Sequence, residues 1–365
     1  MNYQSAIFSK YLCDEAMLSI ISDEAYIRKM LQFETALSVA QAKLDMIPAA
    51  VAEEIKNTLH QLEISPAALA GGTLANGVPV ITLLSIAKEK LSSEAAKYLH
   101  YGATSQDVMD TAQVLIIKDA LGLIEERLNY IMQGLDVLIK EYGNLQCMAR
   151  TRGQLAMPIT FGVKINAWLQ PLQRQTEKLD EIKKRIFNIQ LGGATGTLSA
   201  YGDKGKLLTD ALAQELGLQS SSSWHAQRDN FCEFTNWLAM VTGTLGKMGA
   251  DILVMAQSEV EEVIENAEEG GKSSAMPHKN NPVLSEALVA LARMNANLQS
   301  QMLQSMMHVN ERDATAWILE WNAIPQMLLN TTTALNHAFT IATKMKVNTA
   351  QMKKNVEQFL NTKQG

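Results

Sequence analysis

Proline placement constrains this 365-residue chain more than any other feature, because its eight prolines fall at positions 48, 66, 79, 158, 171, 277, 282 and 325. Three stretches, 80–157, 172–276 and 283–324, contain none. A proline inside a helix removes one hydrogen bond and clashes with the carbonyl four residues back, so these stretches are free to carry very long helices. Periodicity agrees. In 283–306 the apolar residues Leu284, Leu288, Leu291, Leu298, Met302 and Met306 recur at helical spacings. In 106–140 Val108, Ala112, Leu115, Ala120, Leu123, Leu128, Ile131, Leu135 and Leu138 do the same with some drift. Period-two alternation of β-branched residues is nearly absent, and the chain reads as all-α. Long helices are expected at 105–140, 230–265 and 283–310, with a further helix over 158–190 that starts at Pro158 and kinks near Pro171. The first hundred residues read as shorter helices, Asp23–Ala42 (capped by Ser22 or Asp23), Ala50–Leu62 and Thr82–Leu91. Two breaks stand out. Residues 192–205, GGATGTLSAYGDKG, hold five glycines and disfavour helix, and 265–282 is a polar loop that ends at a proline. The pattern divides the chain into an N-terminal helical domain, 1–104, and a central long-helix bundle, 105–345. Helices above about thirty residues bury their apolar stripes in bundles, often between subunits.

Composition narrows the function. Hydrophobic residues make up 47% of the chain and charged residues 19%, the balance of a folded domain. The formal charge of −6 argues against nucleic acid and against an anionic membrane surface as partners. An anionic ligand must then be held by a local cluster of cations and backbone N–H groups. Cys13, Cys147 and Cys232 are odd in number and form no CxxC pair, so a disulfide framework and a zinc site are both unsupported; reduced thiols in the cytoplasm are the plain reading. The opening MNYQSAIFSKYLCDEAM carries acids early and lacks the apolar core of a signal peptide, and no later run is expected to span a bilayer. There is no GxGxxG and no metal-spaced cluster, so no cofactor and no metal are expected.

Three segments carry chemistry. The loop Gly270-Gly271-Lys272-Ser273-Ser274-Ala275-Met276-Pro277-His278-Lys279-Asn280-Asn281-Pro282 offers hydroxyls, ammonium groups, an imidazole and amides, and it ends at a helix start. Free N–H groups, a helix N-terminus and Lys279 together suit an anion, although a solvated surface loop has the same composition. Thr104-Ser105, in the run Gly102-Ala103-Thr104-Ser105-Gln106-Asp107, caps a helix and places hydroxyls where a carboxylate can sit, or serves as a cap alone. Arg152, in Arg150-Thr151-Arg152-Gly153-Gln154-Leu155-Ala156-Met157-Pro158, suits a bidentate carboxylate or a surface ion pair. Taken singly, Trp224, Trp317 and Trp321 read as core, and His225, His278 and His308 as structural.

The loop resembles the signature G-S-S-x-M-P-x-K-x-N-P of the fumarase/aspartase superfamily of cofactor-free lyases. Seven of its eight specified positions match, with Lys272 standing where the family has glycine. Gly102–Asp107, preceded by His100-Tyr101, resembles the superfamily's G-x-T-S-x-D region. Arg150–Pro158 is similar to an R-T-H-G-Q-x-A-x-P segment of adenylosuccinate lyases, with Arg152 in place of their acid histidine. Three further segments resemble the cycloisomerase branch: Leu191–Thr197, Trp224-His225-Ala226-Gln227-Arg228-Asp229, and Glu311-Arg312-Asp313 with Trp317, Glu320 and Trp321. The likeness runs from about residue 5 to 360.

The resemblance implies a fumarase/aspartase-like long helical bundle with a smaller N-terminal helical domain. It implies a homotetramer whose active sites are shared between chains, with 346–365 as the start of a C-terminal domain cut short. It implies Ser273, Lys279 and Asn281 as catalytic residues: the serine exchanges a proton with carbon, and the other two stabilise a dianion. Thr104, Ser105, Gln106, Arg152, Gln154, Ser274, Met276 and Arg312 would bind a small polycarboxylate. Arg152 bears on the reaction. Expelling an amine requires an acid, whereas a lactone that opens releases a carboxylate with a pKa of about 4, which needs none. The expectation is therefore a cofactor-independent cycloisomerase. An adenylosuccinate lyase-like elimination enzyme and a non-catalytic helical oligomer are the alternatives.

Overall fold

The computed structural model describes residues 5–265, 270–276 and 279–362. Two short helices, α1 (Ser9–Leu12) and α2 (Glu15–Ile20), lead into α3 (Asp23–Lys43), where the Ser22 hydroxyl accepts from the Ala25 amide as the cap. Then come α4 (Ala49–Gln61), α5 (Pro66–Asn76), α6 (Val80–Lys88) and α7 (Ala95–Tyr98). α5 lies outside the expected elements. It has proline at its first position and left-handed Gly77 at its end, a helix signature that Gly71 and Gly72 mask in the sequence.

The bundle begins with α8 (Ser105–Tyr142), 38 residues and therefore about 57 Å long. Its N-terminus carries a capping box between Thr104 and Asp107. A hairpin of β1 (Gln146–Thr151) and β2 (Gln154–Thr160) follows. It occupies the position where the helix was expected to start at Pro158, and its turn is Arg152-Gly153, both at positive φ. α9 (Phe161–Ile186) carries Pro171 inside it. Two 3₁₀ turns, Gly193–Thr195 and Ser199–Lys204, fill the glycine-rich break before α10 (Gly205–Leu216). α11 (Asp229–Met255), β3 (Val263–Ile264), α12 (Val283–Ser305), α13 (Ala314–Lys344), β4 (Lys346–Val347) and α14 (Thr349–Thr362) complete the chain, and β4 pairs antiparallel with β3.

α13 continues through Pro325, which the proline pattern treats as a boundary. The missing N–H leaves the Trp321 carbonyl without its helical donor, at a cost of about 3 kcal/mol. Against it, Ile324, Met327, Leu328, Leu335 and Ile341 are each at most 1% exposed. Burying each such side chain contributes about 1.5–3 kcal/mol, so packing outweighs the local penalty.

Two apolar cores form. One fills the bundle between α8, α9, α11, α12 and α13. The other joins α3–α6 to the first turns of α8 and to α10. α11 corrects the expectation about bilayer-spanning runs, since by length and composition (mean hydropathy 1.3) it suffices to cross a membrane. Here it packs against α9, α12 and α13, and half of its most apolar window is buried.

Candidate active site

At the head of α8 the chain buries charge. Asp107 is fully buried, and its Oδ1 accepts from the Gly192 amide at 2.8 Å and from His225 Nε2 at 2.8 Å. Its Oδ2 accepts from the Gly193 amide at 2.9 Å and the Thr104 amide at 3.0 Å. One carboxylate thus ties the helix cap to the glycine turn and to the Trp224–Asp229 segment. Gly193 is required at the turn: its φ is +68°, and a Cβ there would lie 3.0 Å from the Gly102 carbonyl oxygen.

One helical turn further on, Asp110 accepts both terminal nitrogens of Arg228 at 2.7 and 3.0 Å, the Trp317 indole N–H at 3.0 Å and the Gln106 amide at 3.1 Å. The other edge of Arg228 donates to Glu320, and its guanidinium lies 4.9 Å from the ring centres of Trp224 and of Phe231. Burial lowers the Arg228 pKa, but Asp110 and Glu320 outweigh it and hold the guanidinium charged, above its ordinary range. Burial raises the Glu320 carboxyl even against the pull of Arg228. This network pins the starts of α8, α11 and α13 together. Gln106, 1% exposed, donates to the His225 carbonyl at 2.9 Å and accepts from Arg312 Nε at 2.9 Å; Arg312 also donates to the Ala194 carbonyl at 3.2 Å. Thr104 and Ser105 are half-buried, and Arg312 is exposed. Beside them His100 and Glu34 are 2.6 Å apart; burial lowers the His100 pKa, and Glu34 more than reverses this.

The remaining predicted residues lie at the opposite end of the bundle. Arg152 and Gln154 are exposed at the tip of the hairpin that follows the C-terminus of α8. That hairpin is anchored where Arg150 faces Glu262 at 3.6 Å. Three residues after Glu262, Glu265 accepts from the Leu284 and Ser285 amides at 2.8 and 2.6 Å. The α12 N-terminus, expected as an anion site, therefore already holds a carboxylate of its own chain. Between these anchors Gly271 accepts from the Asn281 amide at 2.7 Å and Lys272 bridges to Asn280, closing the neck of the signature loop. Ser273 Oγ accepts from the Met276 amide at 3.2 Å and the Ala275 amide at 3.4 Å. Lys279, Ser274 and Met276 are exposed and Asn281 is half-buried. Pro277 and His278 lie outside the described residues.

The predicted site residues therefore form two groups, Thr104, Ser105, Gln106 and Arg312 at one end and Arg152, Gln154, Ser273, Ser274, Met276, Lys279 and Asn281 at the other. Within one chain the length of α8, about 57 Å, and that of α12, about 35 Å, lie between the two groups. Sequence reasoning gave no role to Asp107, Asp110, Arg228 or Glu320. For Asp107 and Asp110 a signal was present, as acids at the head of an otherwise apolar helix, since aspartate is seldom buried unless paired. A cleft of about 540 Å³ between α3, α5, α8 and α13 contains none of the predicted site residues. Among the described residues no group of three His, Cys, Asp or Glu side chains is placed to hold a metal ion.

A family model described as "Lyase" matches residues 5–296. The chain is 34% identical over 360 residues to 3-carboxy-cis,cis-muconate cycloisomerase of Acinetobacter baylyi, covering 97% of this chain and 80% of that protein. It is 35% identical over 343 residues to trans-aconitate decarboxylase 1 of Mycosarcoma maydis, covering 93% and 70%. The crystal structure of 3-carboxy-cis,cis-muconate lactonizing enzyme from Pseudomonas putida superposes with a TM-score of 0.91 at 34% identity, covering 97% of this chain and 80% of that one.

Proposed function

This chain belongs to the lyase family, and from that premise we propose that it interconverts 3-carboxy-cis,cis-muconate and carboxymuconolactone, a step of protocatechuate degradation. One substrate carboxylate adds to the far end of a double bond conjugated to a second carboxylate. The C–O bond forms, the π electrons move onto the second carboxylate as a dianion, and the adjacent carbon takes a proton from Ser273. The serine alkoxide regains its proton from solvent.

Ser273 carries the assignment. A free serine hydroxyl is too weak an acid and base for this exchange. Its Oγ accepts from the Ala275 and Met276 amides, which stabilise an alkoxide as they would any oxyanion. Lys279 and Asn281, on the same loop, are assigned to the dianion. Arg312, oriented by the buried Gln106 amide, and the Thr104 and Ser105 hydroxyls are assigned to a substrate carboxylate. Arg152 and Gln154 are assigned to another, with Ser274 and Met276 lining the loop face.

The distance between the two groups supports a site assembled from different copies of the chain in a homotetramer. Val137, Val163, Met240, Leu303 and Phe339 point the same way: these large apolar side chains on α8, α9, α11, α12 and α13 are 39–56% exposed in the single chain.

The test is loss of diene absorbance when 3-carboxy-cis,cis-muconate is added. Removing a proton-transfer group costs about 10²–10⁴-fold in rate, so Ser273→Ala should fall by at least about a hundredfold while remaining folded. Wild-type protein that leaves the diene untouched would refute the reaction. An active Ser273→Ala would refute the role of the serine.

A further inference from the structure

The cleft between α3, α5, α8 and α13 lies apart from both groups of site residues, and its volume of about 540 Å³ is that of a small-molecule site. Its walls are mainly aliphatic, with the Tyr26 and Trp321 rings and the Met30 and Met109 thioethers among them. The polar groups in this lining differ in what is left free. The Tyr26 hydroxyl donates to the Met109 carbonyl at 3.2 Å and the Thr73 hydroxyl to the Leu69 carbonyl at 2.8 Å, so both donors are spent. Gln113 is half-buried, and among the described residues its side-chain amide has no hydrogen-bond partner, while neither amide atom is sealed from the cleft. The Trp321 indole N–H is buried and bonds nothing, and among the described residues no other with a buried, unpartnered side-chain atom lines this cleft. Pro325, also in the lining, leaves the Trp321 carbonyl without its helical donor. Behind Gln113 and Trp321 is a void of about 10 Å³, too small for more than one water, so a ligand reaches these groups from the cleft.

Charge restricts what fits. Asp23 is the one charged residue among the described lining, and no cation joins it. A carboxylate ligand would lose its water here with no counter-charge, which is costly. A neutral primary amide has the complementary groups instead. Its N–H can donate to the Gln113 oxygen while its carbonyl accepts from the Gln113 N–H, and the second N–H and second lone pair match the free carbonyl and indole of Trp321. A flat ring on that amide packs against the aromatic faces and thioethers of the walls. We propose that this cleft is a second ligand site, for a neutral aromatic carboxamide held by Gln113 and the free polar groups of Trp321. Such a ligand differs in charge from the polycarboxylate assigned to the active site, and its binding does not depend on that assignment.

Benzamide, benzoate and toluene share a ring and differ in the group it carries, so they separate these contributions when titrated into the full chain at neutral pH by ligand-observed NMR. Benzamide should saturate and bind at least about tenfold more tightly than benzoate, the equivalent of one or two hydrogen bonds of ordinary net strength. Gln113→Leu should weaken benzamide about tenfold and leave toluene unchanged, because the apolar walls remain. Ala70→Trp, at an exposed position of α5 that lines the cleft, should fill it and abolish binding of both; it decides if Gln113→Leu does not fold. 3-Carboxy-cis,cis-muconate should not displace benzamide. Benzoate binding as tightly as benzamide overturns the proposal, and so does benzamide binding that either variant leaves unchanged. No saturation by any probe, as when a second copy of the chain covers the cleft, overturns it too. Displacement by the polycarboxylate would merge the cleft with the active site and overturn a separate site. Selective benzamide binding by a protein that leaves the diene untouched would support this site while refuting the reaction.

Discussion

Replacing Arg228 by methionine keeps the side-chain length and removes the cation that bonds two buried carboxylates. Asp110 and Glu320 are 1% and 2% exposed, and Arg228 donates to both. Deleting one partner of a buried ion network costs about 3–5 kcal/mol, chiefly because the opposite charge stays buried. The unfolding entropy of about 2.1 cal/mol/K per residue gives about 0.77 kcal/mol/K for 365 residues, so the thermal midpoint should drop by about 4–7 °C. The loss should depend on pH with a definite sign. Burial already raises the Glu320 carboxyl, and without Arg228 it must rise further. The folded variant then binds protons that the unfolded chain does not, so its stability falls as pH climbs through that raised pKa. The deficit relative to wild type should therefore be smaller at pH 5 than at pH 8, and adding Glu320→Gln should restore part of it. Thermal melts followed by circular dichroism across that range are sufficient. A loss below about 1 kcal/mol at pH 7, or one independent of pH, would refute the view that paired buried charge joins α8, α11 and α13.

Other consequences are as direct. Gly102→Ala places a Cβ at φ +77° and 2.3 Å from the Tyr201 ring, so it should cost about 2–3 kcal/mol in urea unfolding, whereas Gly122→Ala, with open space around it on α8, should be neutral or stabilising by up to about 1 kcal/mol. The raised His100 pKa means that its pairing with Glu34 contributes fully below about pH 6.5 and is lost as pH rises through the raised value; His100→Gln should flatten that part of the midpoint-versus-pH curve, and an unchanged slope would exclude the pair as its source. If sites combine both groups of residues from different chains, Ser273→Ala and Arg312→Ala proteins, each inactive alone, should regain activity when unfolded and refolded together. A mixture as inactive as its parts would place each site within one chain.

The long helices were legible in the sequence, because proline spacing and 3.6-residue periodicity are local properties of the backbone. Ser105–Tyr142 ends within two residues of its expected boundary, and Val283–Ser305 starts where expected. The signature loop and the Thr104-Ser105 cap were likewise readable, since short polar motifs keep their chemistry wherever the fold puts them. Other features were not readable locally. The hairpin at 146–160 has no period-two pattern of β-branched residues, and Pro325 sits inside α13 because the buried side chains along that helix outweigh one missing hydrogen bond. The burial of Asp107, Asp110, Arg228 and Glu320 depends on four segments up to 213 residues apart in sequence meeting at one helix end. The chain by itself determined which stretches become rods and which polar motifs stand as candidates for chemistry. Only the tertiary structure decided that one polypeptide holds its candidate site residues in two groups, one at the head of α8 and one on the hairpin beyond α8 and the loop before α12, because that outcome follows from how distant segments pack.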